Sequence, residues 1–282
     1  MTEAPPLHAL LGEGADELRQ RGIVEPRREA VRIWADLAGL PSYALPASAP
    51  APEPEAASRF RHAIARRAGG EPLAYVTGVV GFRRLTLRAD RRALIPRPET
   101  EGLVELVLAQ AGTGVVADVG TGSGCIARAL ADEGRYRLVL GIERSLEALA
   151  LAAENRARTG LPVTLLAGDL LEAVGPATLD AVVSNPPYLT EAEYQALEPG
   201  VRDHEPRAAL ASGVDGLADT RRVLLQAARA LRPGGLVALE IDATRAADGL
   251  ALAAAADLAM ATVRDDLFGR ARYLLARRSE HS

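Results

Sequence analysis

The sequence predicts an α/β protein: a mostly parallel, doubly wound sheet preceded by a small helical unit and a β-hairpin connector. Three observations carry that prediction. From about Glu101 onward, short apolar runs alternate with amphipathic stretches, the strand–helix repetition that builds parallel sheets. The first of those runs empties into a glycine-rich turn, Gly120-Thr121-Gly122-Ser123-Gly124. The fourth stops abruptly at Asn185-Pro186-Pro187-Tyr188.

Residues 7–67 read as helical, with amphipathic spacing over Ala15 to Gln20, Arg27 to Ala38 and Glu55 to Arg67. A break from Pro41 to Pro46 and an alanine–proline run up to Pro54 separate the last two. Trp34, with Ile33 and Leu37, reads as core of this unit. Between Pro72 and Ile95 the pattern turns β-like: Tyr75-Val76, Val79-Val80, Phe82 and Leu85-Thr86-Leu87 alternate around Gly78 and Gly81. The expected division is therefore a helical domain over 1–71, a hairpin connector over 72–98 and a sheet domain over 99–282. The sheet domain opens with a helix from Thr100 to Ala111. Strands follow at Val115–Val119, Leu138–Ile142, Val163–Leu166, Leu179–Ser184 and Leu236–Ile241. Helices are expected at Cys125–Ala131, Ser145–Thr159, Asp215–Leu231 and Thr244–Met260, and closing strands at Ala261–Val263 and Tyr273–Leu275.

The glycine turn does not match the common phosphate-binding patterns. Cys125 stands where a G-x-G-x-x-G fingerprint needs its third glycine, and the chain contains no lysine for a P-loop. The spacing is G-x-G-x-G with Asp118 near the end of the preceding strand. Such glycines let backbone approach a ligand closely, and the helix that follows, carrying Cys125 as a small buried residue, would present free N–H groups. The second strand ends on Glu143, placed to accept from a ribose diol. The third leads to Gly168-Asp169-Leu170, where Asp169 would accept from an adenine amino group and Leu170 would cover the ring. Each acid alone is better explained as an ordinary strand-end residue or a helix cap. Their recurrence at successive strand ends favours a common site.

Two prolines cannot continue a ladder or enter a helix interior, so the chain must leave the sheet at Pro186-Pro187. That holds Asn185 and the Pro186 carbonyl rigidly at the carboxyl edge, where open α/β sheets bind ligands. The Asn185 oxygen and that carbonyl make two adjacent acceptors, which suit a planar NH2 group, and Tyr188 would stack on its plane. A stiff strand-to-loop turn with no ligand is the competing explanation.

Taken together, these stretches resemble a family. With Glu71-Pro72-Leu73-Ala74-Tyr75-Val76-Thr77-Gly78, Gly81-Phe82, Leu94-Ile95-Pro96-Arg97-Pro98-Glu99-Thr100-Glu101, Glu205-Pro206-Arg207-Ala208-Ala209-Leu210 and Asp215-Gly216-Leu217, the chain is similar to the peptide-chain release-factor glutamine methyltransferases (PrmC/HemK). The likeness runs from about Glu71 to the end. NPPY is shared with adenine-modifying methyltransferases, whereas the IPRPETE stretch is the discriminating one. The resemblance implies a Rossmann-like, seven-stranded methyltransferase domain with its last strand antiparallel, and an N-terminal domain that docks substrate. It also implies S-adenosylmethionine as cofactor, S-adenosylhomocysteine as product, and the glutamine of the Gly-Gly-Gln loop in bacterial-type release factors as substrate. Asp118, Gly120, Thr121, Gly122, Ser123, Gly124, Glu143, Asp169, Leu170 and Asn185 would bind cofactor. Asn185, Pro186, Pro187 and Tyr188 would bind substrate, with Asn185, Pro186 and Tyr188 catalytic. Two positions depart from the family pattern: Leu170, where many relatives carry an aromatic, and Asp242-Ala243-Thr244-Arg245, where glycine and glutamine are usual.

Composition sets bounds. At 282 residues, 48% hydrophobic and 25% charged, the chain suits one large domain and one small one. No long apolar run suggests a membrane span, the N-terminus lacks secretory character, and one cysteine gives neither internal disulfide nor thiolate metal site. A cytoplasmic monomer without metal is expected. A net charge of −4 lacks the positive field of a nucleic-acid binder, so Arg83-Arg84, Arg88, Arg91-Arg92 and Arg97 read as a solvated face. Methylation of an exocyclic amine in DNA or RNA remains the alternative activity, and a non-catalytic cofactor-binding module the third.

Overall fold

The structure is a computed structural model that describes residues 6–40 and 51–280. The break expected at Pro41–Pro46 lies outside the described residues. The chain forms two compact units: Met1–Val79 with Glu198–His204, and Val80–Leu197 with Glu205–Ser282.

In the first unit, α1 (Leu7–Gln20), α2 (Pro26–Ala38) and α3 (Pro54–Ala68) enclose a core of Leu10, Leu18, Ile33, Phe60 and Ile64, all fully buried. Trp34 packs edge-on against Phe60 with centroids 5.7 Å apart. Helix α1 begins eight residues earlier than the spacing suggested. Gly14 weakens the local signal, and it is there for the crossing: a Cβ at this position would lie 2.8 Å from the Phe60 ring. Tyr75 and Val76 belong to a one-turn helix, α4 (Leu73–Thr77), and not to a strand. Pro72 starts it and Gly78, at φ 76°, ends it. Arg66, paired with Glu71, donates to the Tyr75 carbonyl at 3.0 Å and so satisfies the end of that turn.

In the second unit the hairpin β1 (Val79–Phe82) and β2 (Leu85–Arg88) precedes α5 (Pro98–Ala111). Then come β3 (Thr113–Val119), α6 (Cys125–Glu133), β4 (Arg135–Glu143), α7 (Leu146–Thr159), β5 (Val163–Ala167) and β6 (Leu179–Ser184). Short helices α8 (Glu191–Gln195) and α9 (Pro199–Arg202) follow, the latter in the first unit. Helix α10 (Ala218–Ala230), β7 (Leu231–Glu240), α11 (Ala246–Ala255), β8 (Leu258–Asp265) and β9 (Ala271–Arg278) complete the chain. The seven-stranded sheet has the order β5-β4-β3-β6-β7-β9-β8, with β9 antiparallel to both neighbours. The expected strand number and reversed last strand are both present.

Alternation along the central strands divides their side chains between two cores. Val115, Ala117, Val119, Val237 and Leu239 face α10 and α11, while Val116, Ala181, Val183 and Ala238 face α5 and α6. Two boundaries moved. Helix α10 starts at Ala218 because Gly216 takes φ 71° and Asp215 accepts from the Leu217 amide in a turn. The alanine-rich helix α11 stops at Ala255, and Leu258 and Ala259 pair with β9 as part of an edge strand. Alanine propensity extends the sequence pattern there past Asp257, whose φ of 59° breaks the helix.

Strand order reverses between β3 and β6, which pair in parallel with Asp118 opposite Val183. Crossovers leave this point in opposite directions, opening a crevice at the carboxyl ends of the two strands. The glycine turn and the NPPY segment are those two ends.

Candidate active site

A cavity opens at that crevice. Its wall includes Gly120, Thr121, Gly122 and Ser123 from the turn after β3, Glu143 after β4, Asp169 and Leu170 after β5, and Asn185, Pro186 and Pro187 after β6. Arg97 and Thr100, at the start of α5, and Cys125 contribute as well. Cys125 is therefore half-buried on the wall, where the sequence suggested a packed core position. Among the expected site residues, Asp118, Gly124 and Tyr188 stand outside the wall.

Gly120, Gly122 and Gly124 all have positive φ, so the loop coils tightly. Gly120 and Thr121 donate to the Ile142 carbonyl, Gly124 to the Thr121 carbonyl and Gly122 to Glu143 Oε2 at 3.0 Å. These four amides are held within the chain, which makes the turn a rigid floor.

Asp118 fastens this floor from beneath. It is fully buried, and Oδ2 accepts from Thr121 Oγ1 at 2.5 Å and from the Ala127 amide at 3.0 Å. Burial pushes its carboxyl up to about 7, against the opposing pull of those two bonds. The folded chain thus keeps a proton that an unfolded one, ionising near its ordinary value of about 4, has released. The resulting stabilisation is complete below about pH 4 and is lost as pH rises towards about 7. Asp118→Asn should abolish that dependence. In thermal melts across this window the wild type loses stability with rising pH relative to the variant; parallel curves would refute the assignment.

Glu143 Oε1 accepts from the Ser145 amide at 2.9 Å while Oε2 holds Gly122. Each oxygen keeps a lone pair for a ligand hydroxyl. Asp169 Oδ2 accepts from Arg222 at 2.6 Å, but its Oδ1 is buried without a partner. Leu170 packs against the core under the cavity and sits at φ 51°, a left-handed conformation that fixes its direction.

At Asn185 the carboxamide nitrogen donates to Thr100 Oγ1 at 3.1 Å, and Thr100 donates to Glu240 Oε2 at 2.7 Å. Among the described residues no donor reaches Asn185 Oδ1 or the Pro186 carbonyl. The segment leaves β6 firmly: Ser184 Oγ donates to the Val119 carbonyl at 2.6 Å, tying the two strand ends together. Tyr188 is half-buried, and burial, with a smaller contribution from Glu240, pushes its hydroxyl up to about 12, so it stays protonated and is no base.

Several residues of the site carried no role in the sequence. Thr100 sat inside a quoted motif. Glu240 had a signal of its own, a lone acid closing an apolar strand. Glu205, also buried, accepts from the Ile95 amide at 3.0 Å and from Arg97, joining two motifs distant in sequence. Arg245, in the departing segment 242–245, donates to Glu193 Oε2 at 2.6 Å and to the Asp215 carbonyl at 3.0 Å, bracing the loops after NPPY.

Sequence comparison decides the family. Residues 9–78 match a PrmC N-terminal domain and 99–199 a methyltransferase small domain. Release factor glutamine methyltransferases from Moorella thermoacetica and Deinococcus radiodurans are 42% and 40% identical, each aligned over 97% of this chain and 99% of its own. That from Geobacter sulfurreducens is 39% identical over 86% of this chain and 87% of its own. The chain belongs to the release factor glutamine methyltransferases. Among solved structures, a Pyrococcus furiosus methyltransferase superposes with TM-score 0.52 at 18% identity, covering 68% of this chain and 88% of that one. A Thermus thermophilus 16S rRNA N2 G1207 methyltransferase in complex with AdoMet and guanosine gives TM-score 0.50 at 19% identity, covering 71% and 49%. These structural likenesses speak to the fold.

Proposed function

We propose that this chain transfers a methyl group from S-adenosylmethionine to the side-chain amide nitrogen of the Gly-Gly-Gln glutamine of bacterial-type peptide-chain release factors, with S-adenosylhomocysteine as product. The observation that carries this reading is the uncommitted pair of acceptors, Asn185 Oδ1 and the Pro186 carbonyl, on the wall of a cavity that also holds Glu143 and Asp169.

The wall fits the cofactor. The unpartnered Asp169 Oδ1 suits the exocyclic amine of adenine, Leu170 offers an apolar face, and Glu143 has lone pairs for ribose hydroxyls. When bound, S-adenosylmethionine supplies a methyl group on a cationic sulfur, an electrophile with an excellent leaving group. A glutamine amide nitrogen is a poor nucleophile because its lone pair is delocalised into the carbonyl. Asn185 Oδ1 and the Pro186 carbonyl accept its two hydrogens and aim the nitrogen; alignment of this kind contributes several kcal/mol. The same oxygens stabilise positive charge developing on nitrogen. The methylated nitrogen is then acidic enough to pass its proton to an acceptor or water. No strong base is required, in keeping with a protonated Tyr188.

The helical unit takes the docking role, and a release-factor substrate places the activity in the cytoplasm. Nucleic-acid methylation is less well supported, because three of the arginines that would reach phosphates are paired with carboxylates. Arg83 pairs with Glu133 and Glu105, Arg92 with Asp90 and Glu154, and Arg88 with Glu154. Among the described residues no helix is long and apolar enough to cross a membrane. Incubation with cofactor and purified release factor should add one methyl group to the glutamine-bearing peptide by mass spectrometry. Labelling of RNA or DNA in preference to release factor would overturn the proposal.

A further inference from the structure

We propose that Thr100 and Glu240 act as positioning residues that decide which end of the Asn185 carboxamide faces the substrate, an inference that rests on the amide-gripping role of Asn185 given above. A carboxamide has nearly the same shape either way round. Flipped, Asn185 would turn an NH2 group towards the NH2 of the incoming amide, donor against donor. The chain must therefore specify orientation, and the hydrogen-bond order does so. An ionised Glu240 only accepts. Thr100 has one hydroxyl proton, and it goes to Glu240 Oε2 at 2.7 Å. The Thr100 oxygen can then only accept from Asn185, so Nδ2 turns to it, at 3.1 Å, and Oδ1 is left for the cavity. Thr100 and Glu240 are 2% and 1% exposed, so solvent has little access to relieve a mismatched arrangement.

The charge of Glu240 sets the direction. Arg97 and Glu99 from the start of α5, Tyr188 from the NPPY segment, and Arg272 and Tyr273 from β9 surround it. Burial holds its carboxyl above the usual carboxylate range, with Thr100 and Arg272 opposing. Once protonated, Glu240 becomes a donor to Thr100. Thr100 is then free to donate to Asn185 Oδ1, and the carboxamide flips.

The test is steady-state kinetics with release factor and S-adenosylmethionine on full-length variants. Glu240→Gln should lower kcat by roughly 10- to 100-fold, with cofactor binding by calorimetry unchanged, because its amide can donate to Thr100 where the carboxylate only accepts, and the direction of the Thr100 proton is no longer fixed. Thr100→Val should do the same and Thr100→Ser should restore activity. Asn185→Asp alone sets two carboxylates competing for one proton and should be slow. Combined with Glu240→Gln, it regains an oxygen on both sides, and the double variant should turn over faster than either single one. The wild type should lose kcat at acid pH as Glu240 protonates, and Glu240→Gln should lack that limb. If Glu240→Gln fails to fold, the threonine series and the acid limb carry the same decision. Wild-type kcat in Glu240→Gln and Thr100→Val, beside an inactive Asn185→Ala, would overturn the relay and leave the amide reading standing. A double variant no faster than its parents would also overturn it. An active Asn185→Ala would instead remove the reading on which the relay rests.

Discussion

Asn185→Ala should leave a folded, cofactor-binding protein whose kcat is reduced by roughly three orders of magnitude. The side-chain oxygen is one of the two acceptors proposed to hold the nitrogen, and deletion of one well-placed polar partner at a transition state costs about 10²–10³-fold. Loss of alignment adds to that. The effect should fall on kcat more than on KM for release factor, because the lost contact is with the reacting amide alone. Single-turnover transfer of a labelled methyl group measures the step directly. A rate within about ten-fold of wild type would be too small for a group that touches the reacting nitrogen.

Gly124→Ala should be strongly destabilising. An added Cβ would lie 1.7 Å from Arg128 Nη1 and 2.9 Å from Cζ, at a φ of 81°. Arg128 cannot step aside, because it is fully buried and donates to the Gly124 and Ala152 carbonyls. Left-handed strain and overpacking together cost roughly 3–5 kcal/mol. Urea denaturation measures the loss, and calorimetry should show cofactor affinity falling with it as the floor of the cavity is displaced. Gly160→Ala is the informative control. Gly160 has φ 69° but nothing within 4 Å of its would-be Cβ, so only the strain, about 1–2 kcal/mol, should appear. Equal losses in the two variants would mean that the clash with Arg128 is relieved at little cost.

The sheet was legible because its central strands are apolar runs closed by residues that cannot continue them. Pro186 and Pro187 end β6, and Gly120 ends β3. Their adjacency was legible only through the resemblance, since nothing local in the sequence places the fourth strand beside the first. Local reading failed where tertiary packing chose the conformation. Gly14 sits inside a helix because Phe60 crosses there, Tyr75-Val76 coil between Pro72 and Gly78, and Leu258 joins a strand although alanines precede it. The site was legible in its contacting residues and silent in their supports. Asn185 announces itself by its neighbours, whereas the meaning of Thr100 and Glu240 depends on a meeting across 140 residues of chain. The bracing of the glycine turn was silent for a related reason: the acceptors of the Gly120, Thr121 and Gly122 amides, Ile142 and Glu143, belong to the next strand.

The segment Glu198–His204 belongs with the helices of the amino-terminal unit although the chain on either side belongs with the sheet. The smaller unit is therefore not an appendage that one cut would release. A fragment ending at residue 79 omits part of it, and a chimera that exchanged partner preference between relatives would need two transplanted stretches. A crossover anywhere between residues 79 and 198 would separate the two parts of that unit.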